Sequence, residues 1–191
     1  AADPISQVIG PRAGQSEPRA IAVAADAAFH FRYPETTELL QAAGVEPVLW
    51  SPLADEVIPS RCRGVLLPGG YPELHAERLE SCRQSLHSLA AAACRGLPIV
   101  AECGGMMLLG TSLEDGNGTH RKMAGVLPFH ARRGELSLGY REARAVGDSL
   151  LVRHGEVVVG HEFHRWQISV ATKPAITRSE EHTSELQSPD H

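Results

Sequence analysis

The sequence predicts an α/β fold: a mostly parallel sheet with antiparallel strands appended to it. Up to about residue 110, short runs of small and β-branched apolar residues alternate with helical segments. Beyond residue 120, strand-like runs follow one another with no long helix between them. The 191 residues, 42% of them hydrophobic, are enough for one full domain whose core needs no covalent or metal staples.

The elements follow in order. AIAVAADAAF (20–29) is a first buried strand. Pro34 stands at the first position of a helix, and ETTELLQAAG carries that helix to a stop at Gly44. EPVLW (46–50) is a second strand, and GVLLPGG (64–70) a third that ends in a Pro-Gly-Gly turn. From Pro72 to Arg95 the Ala, Leu, Glu and Arg content predicts one long helical stretch, terminated at Gly96. LPIVAE (97–102) is a fourth strand, followed abruptly by CGGMMLLG. AGVLP (124–128), LSLGYREARAV (136–146) and EVVVGHEFH (156–164) are read as the antiparallel strands. Strands alternating with helices imply right-handed crossovers and parallel pairing in the first part.

Composition excludes several classes. No window approaches the roughly 20 apolar residues of a membrane span. Residues 1–18 lack the basic and apolar regions of a signal peptide and read as a linker, the remnant of something upstream. Cys62, Cys82, Cys94 and Cys103 show neither zinc nor disulfide spacing, which points to reduced thiols in a cytoplasmic enzyme. A formal charge of −5 argues against nucleic acid as partner. Residues 178–188, RSEEHTSELQS, match the translation of a common sequencing adapter, so the native domain is expected over 19–177 and a non-native tail over 178–191. That tail carries a net −3, and without it the formal charge is −2.

Cys103 stands out among the cysteines. An apolar strand precedes it, and two glycines and a short apolar helix follow, the context of a nucleophile elbow. Glycines relieve crowding in such a turn, and the start of a helix favours the thiolate. Gly104 N–H would lie near an oxyanion formed on attack. Cys62, Cys82 and Cys94 are read as small apolar core residues. Gly69 and Gly70 end a strand at the carboxyl edge of the sheet, where the backbone can turn a second donor, from Gly70 or Tyr71, toward the same oxyanion. A base is also required. His161 and His164 end the strand EVVVG and face opposite sides of it, so at most one points to the cysteine. The spacing does not choose between them. Glu162 shares the face of His164 and is a candidate to orient it. His-x-x-His without further clustered ligands does not make a metal site.

PGGYPE, AECGG, LGYREA and GHEFH, in that order, with DAAFHFRYPETTELL and SPLADEVIP before them, resemble the glutamine amidotransferase domains of the CobB/CobQ-like family, in particular those of cobyrinic acid a,c-diamide synthases. The resemblance covers roughly residues 19–170. It implies a flavodoxin-like class I glutaminase with helices on both faces of the sheet, Cys103 as nucleophile and His164 as its histidine. The related cobyric acid synthases usually carry Tyr at the position of His161, which favours His164. Class I glutaminases usually have an acid two residues after that histidine. Here the position is Trp166, and this branch commonly lacks that acid. The resemblance further implies glutamine as substrate and no cofactor in these residues. An upstream P-loop-type domain would use ATP and Mg²⁺ to activate corrin carboxylates, and GxxxxGK[ST] is absent here. Three alternatives remain: a cobyric acid or nickel-sirohydrochlorin diamide synthase domain, a non-catalytic docking domain for a synthetase, and a thiol protein of another family on a similar scaffold. GHEFH disfavours cobyric acid synthase, and the intact Cys103, His164 and glycine loops disfavour the docking domain. The third would need a different histidine context.

Overall fold

The structure, a computed structural model, describes residues 19–170 and 179–180. The linker expected over 1–18 and the tail expected from 178 fall outside the described residues, apart from Ser179 and Glu180. The chain divides into two compact units, with the boundary between Ala131 and Arg132.

In the first unit, β1 (Arg19–Ala24), β2 (Val45–Trp50), β3 (Cys62–Leu67) and β4 (Ile99–Ala101) form a parallel sheet in the order β2-β1-β3-β4. Helix α1 (Pro34–Ala42) joins β1 to β2; α2 (Ala76–Ser81) and α3 (Arg83–Cys94) join β3 to β4. Ala22, Ala24, Leu67 and Trp50 are buried, and Trp50 Nε1–H donates to Glu56 O at 2.7 Å. The strand after β1 lies on one side of it and the next lies on the other. The chain therefore reverses its progression between β1 and β3, whose carboxyl ends flank the switch point at which open α/β sheets place their sites.

Four expectations change. β1 ends at Ala24 rather than at residue 29, because the Asp26 carboxylate accepts the Ala28 N–H at 2.9 Å and folds the chain out of the sheet. The long helix is broken: Pro72–His75 is a 3₁₀ turn, and α2 and α3 part at Cys82, whose ψ of 66° leaves the helix. Helix α3 restarts there because the remote Asp55 carboxylate accepts the Ser85 N–H at 2.9 Å. Cys94 is exposed at the end of α3, whereas Cys62 and Cys82 are buried as expected. Residues 124–128 are not a strand. Ala124, Leu127 and Gly125 donate their N–H groups to Leu108, Leu109 and Gly110, covering carbonyls that the end of α4 (Gly104–Leu109) leaves open.

The later strands belong to a second sheet, of mixed direction. β5 (Ser112–Glu114) pairs antiparallel with β6 (His120–Lys122) and parallel with the first residues of β7 (Phe129–Arg144). In the second unit β7 neighbours β8 (Val157–Val170), and Ala145 exchanges backbone hydrogen bonds of 2.8 Å with Gly155 and Glu156 where the chain turns between them. Ser179 and Glu180 (β9) pair antiparallel with β7. Among the described residues, no helix is long and apolar enough to cross a membrane.

Candidate active site

β4 ends at Ala101 and α4 begins at Gly104, so two residues must reverse the chain. Cys103 is the pivot, with φ 49° and ψ −117°, a region that non-glycine residues enter only under strain. Short backbone bonds hold the turn closed: Gly105 N–H to Glu102 O at 2.8 Å, Met106 N–H to Cys103 O at 3.1 Å and Glu102 N–H to Leu67 O at 3.0 Å. A methyl group at Gly105 would lie 2.2 Å from Leu67 O, so α4 rests directly on the backbone of β3. These contacts leave the Cys103 side chain exposed at the carboxyl edge of the sheet.

The Pro-Gly-Gly loop after β3 meets this elbow. A methyl at Gly104 would lie 2.7 Å from Gly70 O and from Pro72 Cδ, and one at Gly69 would lie 3.4 Å from Cys103 Cβ. The glycines are thus required by close approach as well as by turn geometry. The structure brings Cys103, Gly69, Gly70 and Gly104 together. Tyr71 borders them, its ring half-exposed and edge-on to Phe31 at 5.0 Å, with His30 at 5.7 Å. Among the described residues, neither Gly70 N–H nor Gly104 N–H is engaged in a backbone hydrogen bond, which leaves both as donors for a ligand.

In the second unit, the strand alternation of β8 puts Glu162 and His164 on one face and His161 on the other. His164 Nε2 lies 2.5 Å from Glu162 Oε1, and Arg141 Nε–H donates to Glu162 Oε2 at 2.6 Å. Burial pushes the Glu162 carboxyl up, but hydrogen bonds from Ser137, His164 and Arg141 outweigh it and hold the group below the usual carboxylate range. His164 Nδ1 is buried and has no hydrogen-bond partner among the described residues. One ring nitrogen is therefore tied to a carboxylate, and the other is enclosed without a polar partner among the described residues. His161 packs its ring against Tyr140 at 5.2 Å. Among the described residues no cluster of three or more His, Cys, Asp or Glu groups is arranged to hold a metal ion.

Several site contributors were not found by sequence reasoning. Ala28 and Phe31, in the arm after β1, touch the Pro-Gly-Gly loop, with Phe31 N–H donating to Gly69 O at 3.1 Å, and Asp26 behind them accepts the Ala28 N–H. The Asp two residues ahead of Ala28 is an Asx-turn signal that could have located the bend. Arg141 and Ser137 surround Glu162 across the strand pair. No signal was available for them without the register.

The fold and the Cys103 elbow define an α/β protein with a cysteine at the strand-to-helix turn after β4, at the carboxyl edge of a parallel sheet. The same fold is present in the solved structure of PurLQS from Thermotoga maritima, with a TM-score of 0.60 and 14% identity, covering 85% of this chain and 74% of that one. The chain belongs to the CobB/CobQ-like glutamine amidotransferase domain family, which it matches over residues 20–188. It is 47% identical over 146 residues to the cobyrinate a,c-diamide synthase of Salmonella typhimurium, an alignment covering 75% of this chain and 32% of that protein. Against the cobyrinate a,c-diamide synthase of Halobacterium salinarum the identity is 45%, over 80% of this chain and 34% of the relative. Against the hydrogenobyrinate a,c-diamide synthase of Streptomyces coelicolor it is 44%, over 81% and 31%. The chain thus spans about a third of the length of the curated relatives it matches.

Proposed function

We propose that this chain is the glutaminase part of a cobyrinate or hydrogenobyrinate a,c-diamide synthase. The observation that carries the reading is Cys103, held at φ 49° and ψ −117° against the Gly69–Gly70 loop with its side chain exposed. Cys103 Sγ attacks the carboxamide carbon of glutamine, a C–S bond forms, and the negative charge moves to the carbonyl oxygen. Gly104 N–H and Gly70 N–H are the donors assigned to that oxyanion, with Tyr71 bordering the substrate. The C–N bond then breaks and ammonia leaves with the proton first taken from the thiol. His164, which matches the family's histidine, is assigned this proton transfer, with Glu162 orienting its ring through Nε2. Water hydrolyses the thioester to glutamate and restores the thiol.

Ammonia would pass to the a- and c-side-chain carboxylates of the corrin. Their activation with ATP and Mg²⁺ is assigned to a part of the protein outside these 191 residues. The names of the relatives favour cobyrinate or hydrogenobyrinate as acceptor. A glutamine-shaped diazo-ketone tests the first half: it should alkylate Cys103, and the label should vanish in Cys103→Ala. Labelling at Cys62, Cys82 or Cys94 instead would overturn the assignment.

A further inference from the structure

The geometry points to the arm after β1, residues 26–31, as the device that sets the oxyanion loop, with Asp26 as its anchoring, positioning residue. The inference rests on the glutaminase reading above and adds to it what holds the Gly70 donor in place.

Asp26 is part-buried and its carboxylate is shared three ways. Oδ1 accepts the Ala28 N–H at 2.9 Å; Oδ2 accepts the Leu53 N–H at 2.9 Å and the Ser51 hydroxyl at 3.1 Å. It therefore ties the arm to the segment that follows β2, on the far side of β1 from the glycine loop. Ala28 and Phe29 behind it are fully buried, which fixes the arm against the first unit's core.

The arm reaches the loop at two points. Phe31 N–H donates to Gly69 O at 3.1 Å, and a methyl at Gly70 would lie 2.1 Å from Ala28 O. The described chain has no cis peptide, and in a trans peptide the N–H points opposite to the preceding carbonyl. With Gly69 O held toward Phe31, Gly70 N–H is turned to the other side of the loop. The Ala28 carbonyl pressed against Gly70 limits rotation of that peptide. A glycine pair left to itself has several peptide orientations open to it. The arm selects one of them before any ligand arrives, and preorganisation of this kind is what makes an oxyanion donor effective.

The aldehyde analogue of glutamine isolates this effect in the 191-residue chain. Cys103 Sγ adds to its carbonyl carbon, the oxygen gains the charge and then the thiol proton, and nothing leaves, so affinity reads the oxyanion donors. Iodoacetamide alkylation of Cys103 reads the thiol without them. Asp26→Ala should weaken aldehyde binding on the order of 10- to 100-fold, while alkylation changes less than about threefold. Asp26→Asn keeps an acceptor for Ala28 N–H and should recover most of the affinity. Aldehyde affinity in Asp26→Ala within about threefold of the parent overturns the inference, and so does an equal loss of alkylation, which would mark a general structural role. Should Asp26→Ala fail to fold, Phe31→Pro and Phe31→Ala carry the same test, since only the second keeps the N–H that Gly69 O accepts. Equal affinity in that pair overturns the inference. If the parent chain neither binds the aldehyde nor is labelled by the diazo-ketone, the glutaminase reading itself fails and this inference falls with it.

Discussion

Gly104→Ala separates packing from catalysis at the elbow. Gly104 opens a helix, where Ala is intrinsically favoured over Gly by about 1 kcal/mol. The added methyl would lie 2.7 Å from Gly70 O and Pro72 Cδ. Ordinary contacts between such atoms begin near 3.5 Å, so something must yield by roughly 0.8 Å. Overpacking of that kind costs about 1–3 kcal/mol, so the net destabilisation is about 0–2 kcal/mol, at most several degrees in Tm. The larger effect is on the site, because the yielding carbonyl belongs to Gly70, the residue that carries the second proposed donor. Losing one oxyanion donor lowers the rate on the order of 10²- to 10³-fold, or about 2.7–4 kcal/mol. The assay is the second-order rate of thioester formation at Cys103 with an activated glutamine ester, followed by mass spectrometry alongside a thermal melt. Gly116→Ala is the control, since its methyl would meet nothing within 4 Å, and it should leave both readings unchanged. A folded Gly104→Ala chain reacting within about threefold of the parent would refute the proposed hole.

Other predictions follow from the same contacts. At Cys103 the usual order of stabilities should reverse: Cys103→Gly melts above Cys103→Ala by an amount worth about 1 kcal/mol, because only Gly relaxes at φ 49°, ψ −117°. A lower melt for the glycine variant would contradict the strain. His164→Ala should abolish thioester formation while His161→Ala retains most of it, since His164 alone is joined to Glu162; the opposite ranking in a single-turnover assay would reverse the assignment. The Glu162 carboxyl is held below its usual range, so its contribution to the second unit is present above the ordinary Glu value and is lost as pH falls through the lower folded one. Amide exchange in β7 and β8 should therefore quicken on that acid side, and less so in Glu162→Gln. Identical pH profiles for the two proteins would contradict the network.

The alternation of apolar runs with helices was enough to read the parallel α/β sheet, because buried parallel strands are near-continuous apolar runs bounded by turn residues. The elbow was legible for a related reason: strand, cysteine and two glycines are adjacent in the chain, so local geometry is written locally. Glu162 and His164 shared a face by simple strand alternation, and their contact is observed. The break at Cys82 was not legible, because the group that restarts α3 is Asp55, 30 residues away from Ser85. Residues 124–128 looked like a strand by composition but are taken up by carbonyls at the end of α4.

By itself the sequence determined the strand-and-helix order, the cysteine and its glycines, and the family, since each lies in contiguous residues. The tertiary structure alone decided what holds the glycine loop against that cysteine and which groups surround Glu162. Asp26, Phe31 and Arg141 reach their partners across strands of the sheets, and such pairings depend on register and on the paths of loops, to which no local periodicity gives access.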